Sequence, residues 1–158
     1  MTDAGPKSDP GQALALLAAR LREAEAPLSA HVVESRERPV FGLLSALGPR
    51  SAAAPGEYAF VVEAVREGYL LHYGEPRLLS GHDEDLALLA GDYLYALGIE
   101  RLAALGDTEA VAVLGELIGR CAQLHSEDRL GEVAPLWRSA ALAVGGRDPS
   151  PPRGGASQ

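Results

Sequence analysis

Between residues 57 and 73 the apolar side chains fall at Tyr58, Val61, Val62, Val65 and Tyr69, and His72 closes the series. Steps of three and four match the turn of an α-helix, so this stretch is predicted to be a long helix with a broad apolar face. Gly74 and Pro76 end it. A second stretch of the same kind follows a short loop and runs to about Leu105, with a possible loosening at Gly98. Ser80 or Asp83 can cap it, and Asp83, Glu84 and Asp85 suit the positive end of its dipole. Two long helices joined by a short connection pack as antiparallel neighbours. Sustained period-two alternation, the mark of a strand, occurs nowhere in the chain. The expected fold is therefore an all-α antiparallel helical bundle built around residues 57–97.

The flanking segments are expected to wrap this pair. Asp9, Pro10 and Gln12 make a helix start, with Asp9 as cap, Pro10 at the first helical position and Gln12 completing a capping box. Leu14, Leu17 and Leu21 then form one apolar face. Residues 27–37 are expected to form a weaker helix. Pro39 opens another, whose side chains Val40, Phe41, Leu43, Leu44 and Leu47 are so apolar that burial is expected. Residues 48–56 are punctuated as a linker. Gly106 and Asp107 mark a stop and restart, after which Val111, Leu114, Leu117, Ile118, Cys121 and Leu124 continue the helical period. A last helix over residues 131–144 is anchored by Trp137. The domain is expected to span 9–144, with residues 1–8 and 145–158 disordered.

The chain has 158 residues, enough for one domain with a real core. Its formal net charge of −8 argues against nucleic acid or an anionic membrane surface as the main partner. A single cysteine, Cys121, permits no internal disulfide, and a cytoplasmic setting is expected. The sequence shows no apolar run long enough for a transmembrane segment and no signal peptide.

Several residues invite a chemical reading. His82, Asp83, Glu84 and Asp85 suggest a metal, but successive residues at a helix start point in different directions, and capping is the better account. Asp92 lies in an otherwise apolar stretch and needs a polar partner if buried. Ala87, Ala90 and Gly91 are small enough for close helix approach. Arg36 and Arg38 alternate with Glu34 and Glu37, the pattern of a solvated charged loop, and Arg66 can be an ordinary surface arginine on an amphipathic helix. Cys121 and Ser126 have no nucleophile–base arrangement around them. No phosphate-loop, dinucleotide or zinc spacing is present.

The segments VEAVREGYLLHYGEP (residues 62–76) and LALLAGDYL (residues 86–94) carry a family resemblance. Their register is similar to the core of the trans-polyprenyl diphosphate synthases, in which a VExIHxxSLIHDDxP helix bears an aspartate-rich metal motif and an AxLAGDxL helix packs beside it. The likeness covers roughly residues 33–105. The metal triplet is replaced by His72, Tyr73 and Gly74, and Leu79 stands where a later aspartate would fall. Neither Tyr73 nor Gly74 can hold Mg²⁺, a hard cation that takes carboxylate oxygens. His72 is better read as a core or interface histidine. The family's GKRxRP segment, which grips the diphosphate of isopentenyl diphosphate, corresponds to Glu34 through Pro39, where Arg36, Arg38 and Pro39 survive. Arg66 takes the place of a histidine near the same substrate. The resemblance thus implies Arg36, Arg38 and Arg66 as diphosphate contacts, which suits the guanidinium fork.

The chain resembles above all the small, non-catalytic subunit of heterodimeric hexaprenyl and heptaprenyl diphosphate synthases of menaquinone side-chain biosynthesis. The resemblance implies a fold like the N-terminal half of the isoprenoid synthase fold. It also implies no catalytic residues and no metal ligands in this chain. Mg²⁺ would sit on the partner, an aspartate-rich polyprenyl diphosphate synthase catalytic subunit. The central helices carry apolar residues on more than one side, so an interface with that partner or self-association is expected, with Tyr93, Leu94 and Tyr95 among its anchors. The alternative is a stand-alone helical module that binds an isoprenoid or a protein.

Overall fold

A computed structural model describes residues 8–149, in which six α-helices pack against one another. They are α1 (Ala13–Arg22), α2 (Val40–Ala46), α3 (Pro55–Tyr73), α4 (Glu84–Ala104), α5 (Thr108–Ser126) and α6 (Val133–Val144). The only β-pairing among the described residues is an isolated bridge between Val32 and Leu79. The all-α bundle expected from the sequence is what forms. Of the ends expected to be disordered, residues 1–7 and 150–158 lie outside the described residues.

α3 is the axis. It is apolar nearly all round and is buried on both sides, as such a helix must be. One side, with Val61, Val62, Val65 and Tyr69, packs on Leu114 and Leu117 of α5 and Trp137 of α6. The other, with Phe60, Ala64 and Leu71, packs on Leu17 and Leu21 of α1 and Leu94 of α4. Each fully buried leucine contributes about 1.5–3 kcal/mol.

α4 runs antiparallel to α3. Arg101 meets Glu57, Gly98 meets Val65, Gly68 meets Tyr95, and His72 meets Asp92. Gly98 does not loosen α4; it brings the helices together, since a methyl built there would stand 2.7 Å from Val65 Cγ2. Asp83 caps α4, its Oδ1 accepting the Leu86 amide at 2.8 Å. Asp107 caps α5 in the same way through the Ala110 amide at 3.0 Å. Asp9 accepts the Gly11 amide at 3.0 Å ahead of a short 3₁₀ turn, Pro10–Gln12, that leads into α1.

Several local expectations are corrected. The helix expected over residues 27–37 is only a 3₁₀ turn, Leu28–His31, followed by extended chain. Main-chain bonds from Val33 N to Leu78 O (2.8 Å) and from Ser80 N to His31 O (3.0 Å) hold that chain against the α3–α4 loop. The charged run after Val33 offers no second apolar turn to bury as a helix. α2 forms as expected but is not buried by its large side chains: Val40 is 53% exposed and Leu47 62%. It faces α3 through Gly42 and Ser45 instead. A methyl on Gly42 would lie 2.8 Å from Ala59 O, so the approach leaves no room for a leucine there; Val40 and Leu47 turn outward, while Phe41 packs against Trp137 of α6 with ring centroids 5.5 Å apart.

The linker expected over residues 48–56 is partly structural. Pro55 and Gly56 begin α3, and the buried Ser51 hydroxyl donates to Ser45 O at 2.6 Å. Gly145 to Arg147, placed in the tail by sequence, close α6: Arg147 N donates to Leu142 O at 2.9 Å, and Gly145 O accepts the Arg50 amide at 2.8 Å.

Candidate anion-binding cleft

Two fully buried carboxylates, Glu63 and Glu67, sit one turn apart on α3. Burying a carboxylate without partners is costly, so each must be compensated. Arg77, from the α3–α4 loop, does this for both. Its Nη1 donates to Glu63 Oε1 at 2.7 Å and its Nε to Glu67 Oε1 at 2.8 Å. The remaining oxygens are filled by main chain: Glu63 Oε2 accepts the Gly42 amide at 2.8 Å, and Glu67 Oε2 accepts the amides of Arg77 and Leu78 at 2.7 and 2.9 Å. This network pins α2 and the α3–α4 loop to α3. Burial alone would lower the Arg77 pKa, but Glu63 and Glu67 outweigh it and raise it. Arg77 Nη2 is left buried without a hydrogen-bond partner.

Arg66 lies beside this network on α3. Its guanidinium carbon stands 4.9 Å from the Phe41 ring centroid and 5.0 Å from those of Tyr69 and Trp137. Such cation–π contacts hold the planar group in one orientation. Among the described residues no carboxylate forms an ion pair with it. Burial lowers its pKa, and the neighbouring Arg77 charge pushes the same way. Two guanidiniums thus lie close enough to repel; Glu63 attracts Arg66 as well, but its carboxylate forms its ion pair with Arg77.

Arg38, Arg66 and Arg77 line one cleft of about 360 Å³, whose floor includes Phe41 and Leu70. Glu37 and Glu75 line it too; like Arg38 they are exposed, so water and salt screen all three, whereas Arg66 and Arg77 are partly buried. Of the three arginines singled out by sequence, the fold brings Arg38 and Arg66 together; Arg36 is exposed and lines no part of this cleft. Arg77 was not among them. Its signal was the i, i+4 pair Glu63 and Glu67 inside an apolar helix, because buried acids require a cation. The three guanidiniums of the cleft can donate to an anion.

The other sequence candidates have packing roles. Tyr73 stacks on His125 with ring centroids 4.1 Å apart, and His125 Nε2 lies 2.7 Å from the Tyr69 hydroxyl. Tyr73 and Gly74 offer no carboxylate oxygen to Mg²⁺. His72 is half-buried between Tyr95, at 5.2 Å between centroids, and Asp92 Oδ1, at 3.2 Å. Asp92 is exposed rather than buried. His82 to Asp85 cap and flank α4, and among the described residues no three His, Cys, Asp or Glu side chains are grouped to hold a metal. Leu94 is fully buried within this chain, while Tyr93 and Tyr95 are half-buried. The exposed apolar residues of α4 are Leu88 and Leu89. No described helix is long and apolar enough to cross a membrane.

No protein-family model matches this chain, and no curated protein or solved structure matches it either.

Proposed function

We propose that this chain is a non-catalytic helical subunit that holds the diphosphate of an isoprenoid for a polyprenyl diphosphate synthase partner. One observation carries the reading: Arg66, half-buried, held by three aromatic rings and unpaired with any described carboxylate, opens with Arg38 and Arg77 onto a single cleft. A diphosphate entering there would accept charge-assisted hydrogen bonds from Arg66 and Arg38 and relieve the repulsion between Arg66 and Arg77. Arg38 and Arg66 are also two of the positions at which the resemblance to trans-polyprenyl diphosphate synthases implies diphosphate contacts. The non-catalytic half of the reading is supported by Tyr73, whose ring stacks on His125 where that family carries an aspartate. The metal ions and the condensation would belong to the aspartate-rich partner, in the cytoplasm.

A second reading, a stand-alone phosphoryl-binding module, is favoured by the burial of Leu86, Leu94 and Leu97 within this chain's own core, which needs no partner to cover them. An elongation assay with Mg²⁺, farnesyl diphosphate and labelled isopentenyl diphosphate separates the possibilities. The chain alone should give no elongation, and an added aspartate-rich synthase should change its rate or product length in the chain's presence. Multiple turnover by the chain alone rejects the non-catalytic reading. A synthase indifferent to a chain that binds pyrophosphate leaves the module.

A further inference from the structure

The outward face of α2 is unusual for a short helix on a small domain. Its inner face is Gly42 and Ser45, which leaves Val40 and Leu47 exposed and Leu43 and Leu44 half-buried between them. These four line a groove of about 460 Å³ together with Pro10, Ala46 and Arg38. Arg38 and Val40 line both this groove and the arginine cleft, so the two are continuous. An apolar channel thus leads away from a cluster of guanidiniums.

We propose that the α2 groove takes the hydrocarbon chain of a single-chain amphiphile whose phosphate or diphosphate head sits in the Arg66 cleft. The inference rests on the reading of that cleft as a phosphoryl site. Charge complementarity fixes the direction: the head goes to Arg38, Arg66 and Arg77, and the chain runs along Leu43, Leu44 and Leu47. The source is a soluble monomer and not a bilayer. The chain carries a net charge of −8, and Glu37 and Glu75 flank the cleft, so a densely anionic lipid surface is repelled while one phosphate is accepted. α2 is seven residues, roughly 10 Å, which sets the length of chain that gains contact.

Titration of the full chain with inorganic pyrophosphate, inorganic phosphate and the butyl, hexyl, octyl and decyl phosphates, below their micelle concentrations, tests this. Affinity should rise about two- to fourfold per methylene and then level off where the chain outruns α2. Leu43→Gln with Leu47→Gln should flatten that rise, and Arg66→Ala should weaken every member of the series. Binding of pyrophosphate together with equal affinity for all alkyl lengths overturns the groove and leaves the phosphoryl site. Binding of no phosphate compound overturns both. Vesicles of phosphatidic acid should not retain the protein, and retention as strong as for octyl phosphate overturns the choice of a soluble ligand.

Discussion

Arg77 Nη1 donates to Glu63 Oε1 at 2.7 Å, with the carboxylate at 0% and the guanidinium side chain at 8% exposure. The same arginine neutralises Glu67, so one loop residue compensates two buried charges of the central helix. Replacing it with Met would strand both. We expect Arg77→Met to cost on the order of 3–5 kcal/mol in urea unfolding. A loss under about 1 kcal/mol would show that the network does not hold α2 and the loop to α3.

α5 was legible because it carries one apolar stripe at helical spacing; α3 and α4, apolar on more than one side, were legible from their length, their three-and-four spacing and the caps and stops at their ends. Periodicity misjudged α2 and residues 27–37 because their placement depends on partners distant in sequence. α2 leaves Val40 and Leu47 exposed because Gly42 is the residue that reaches the α3 backbone, a fact of tertiary distance. The extended chain after His31 forms because Leu78 and Ser80 offer main-chain partners. The cleft was half legible: a resemblance marked Arg38 and Arg66, while Arg77 was hidden because only the fold brings it under Glu63 and Glu67.

Gly42 and Gly115 should respond to alanine with opposite signs. Alanine is the better helix former by about 1 kcal/mol. At Gly115 a methyl meets nothing within 4 Å, so Gly115→Ala should stabilise by up to that amount. At Gly42 it meets the Ala59 carbonyl oxygen at 2.8 Å, and the overpacking should cost about 1–3 kcal/mol despite the propensity gain. Thermal or urea melts of the two variants check this; stabilisation of both contradicts the close contact of α2 with α3.

Leu94 and Leu89 differ by position on α4. Leu94 is 0% exposed and Leu89 64%. Leu94→Ala should lose about 2–5 kcal/mol, and Leu94→Asp should lose its helical circular dichroism. Leu89→Asp should keep the helical signal. Retention of full helicity by Leu94→Asp would place that side chain at an interface instead.

Burial pushes the Cys121 thiol up from 9.0 to about 11. The native state therefore holds its proton more tightly than the unfolded chain. The stability this confers is present below about pH 9 and is lost as pH rises toward 11. At pH 8 the thiol should react with an aromatic disulfide reagent only through unfolding, so urea should accelerate labelling. Rapid labelling of the native protein at that pH would contradict a buried, protonated thiol.

The proposed phosphoryl site depends on Arg66. Isothermal titration of the full chain with inorganic pyrophosphate, beside Arg66→Gln, tests it most directly. Binding should be saturable, weaken with added salt and fall at least about tenfold in the variant, the loss of a charge-assisted contact. No binding, or equal affinity in the two proteins, would contradict it.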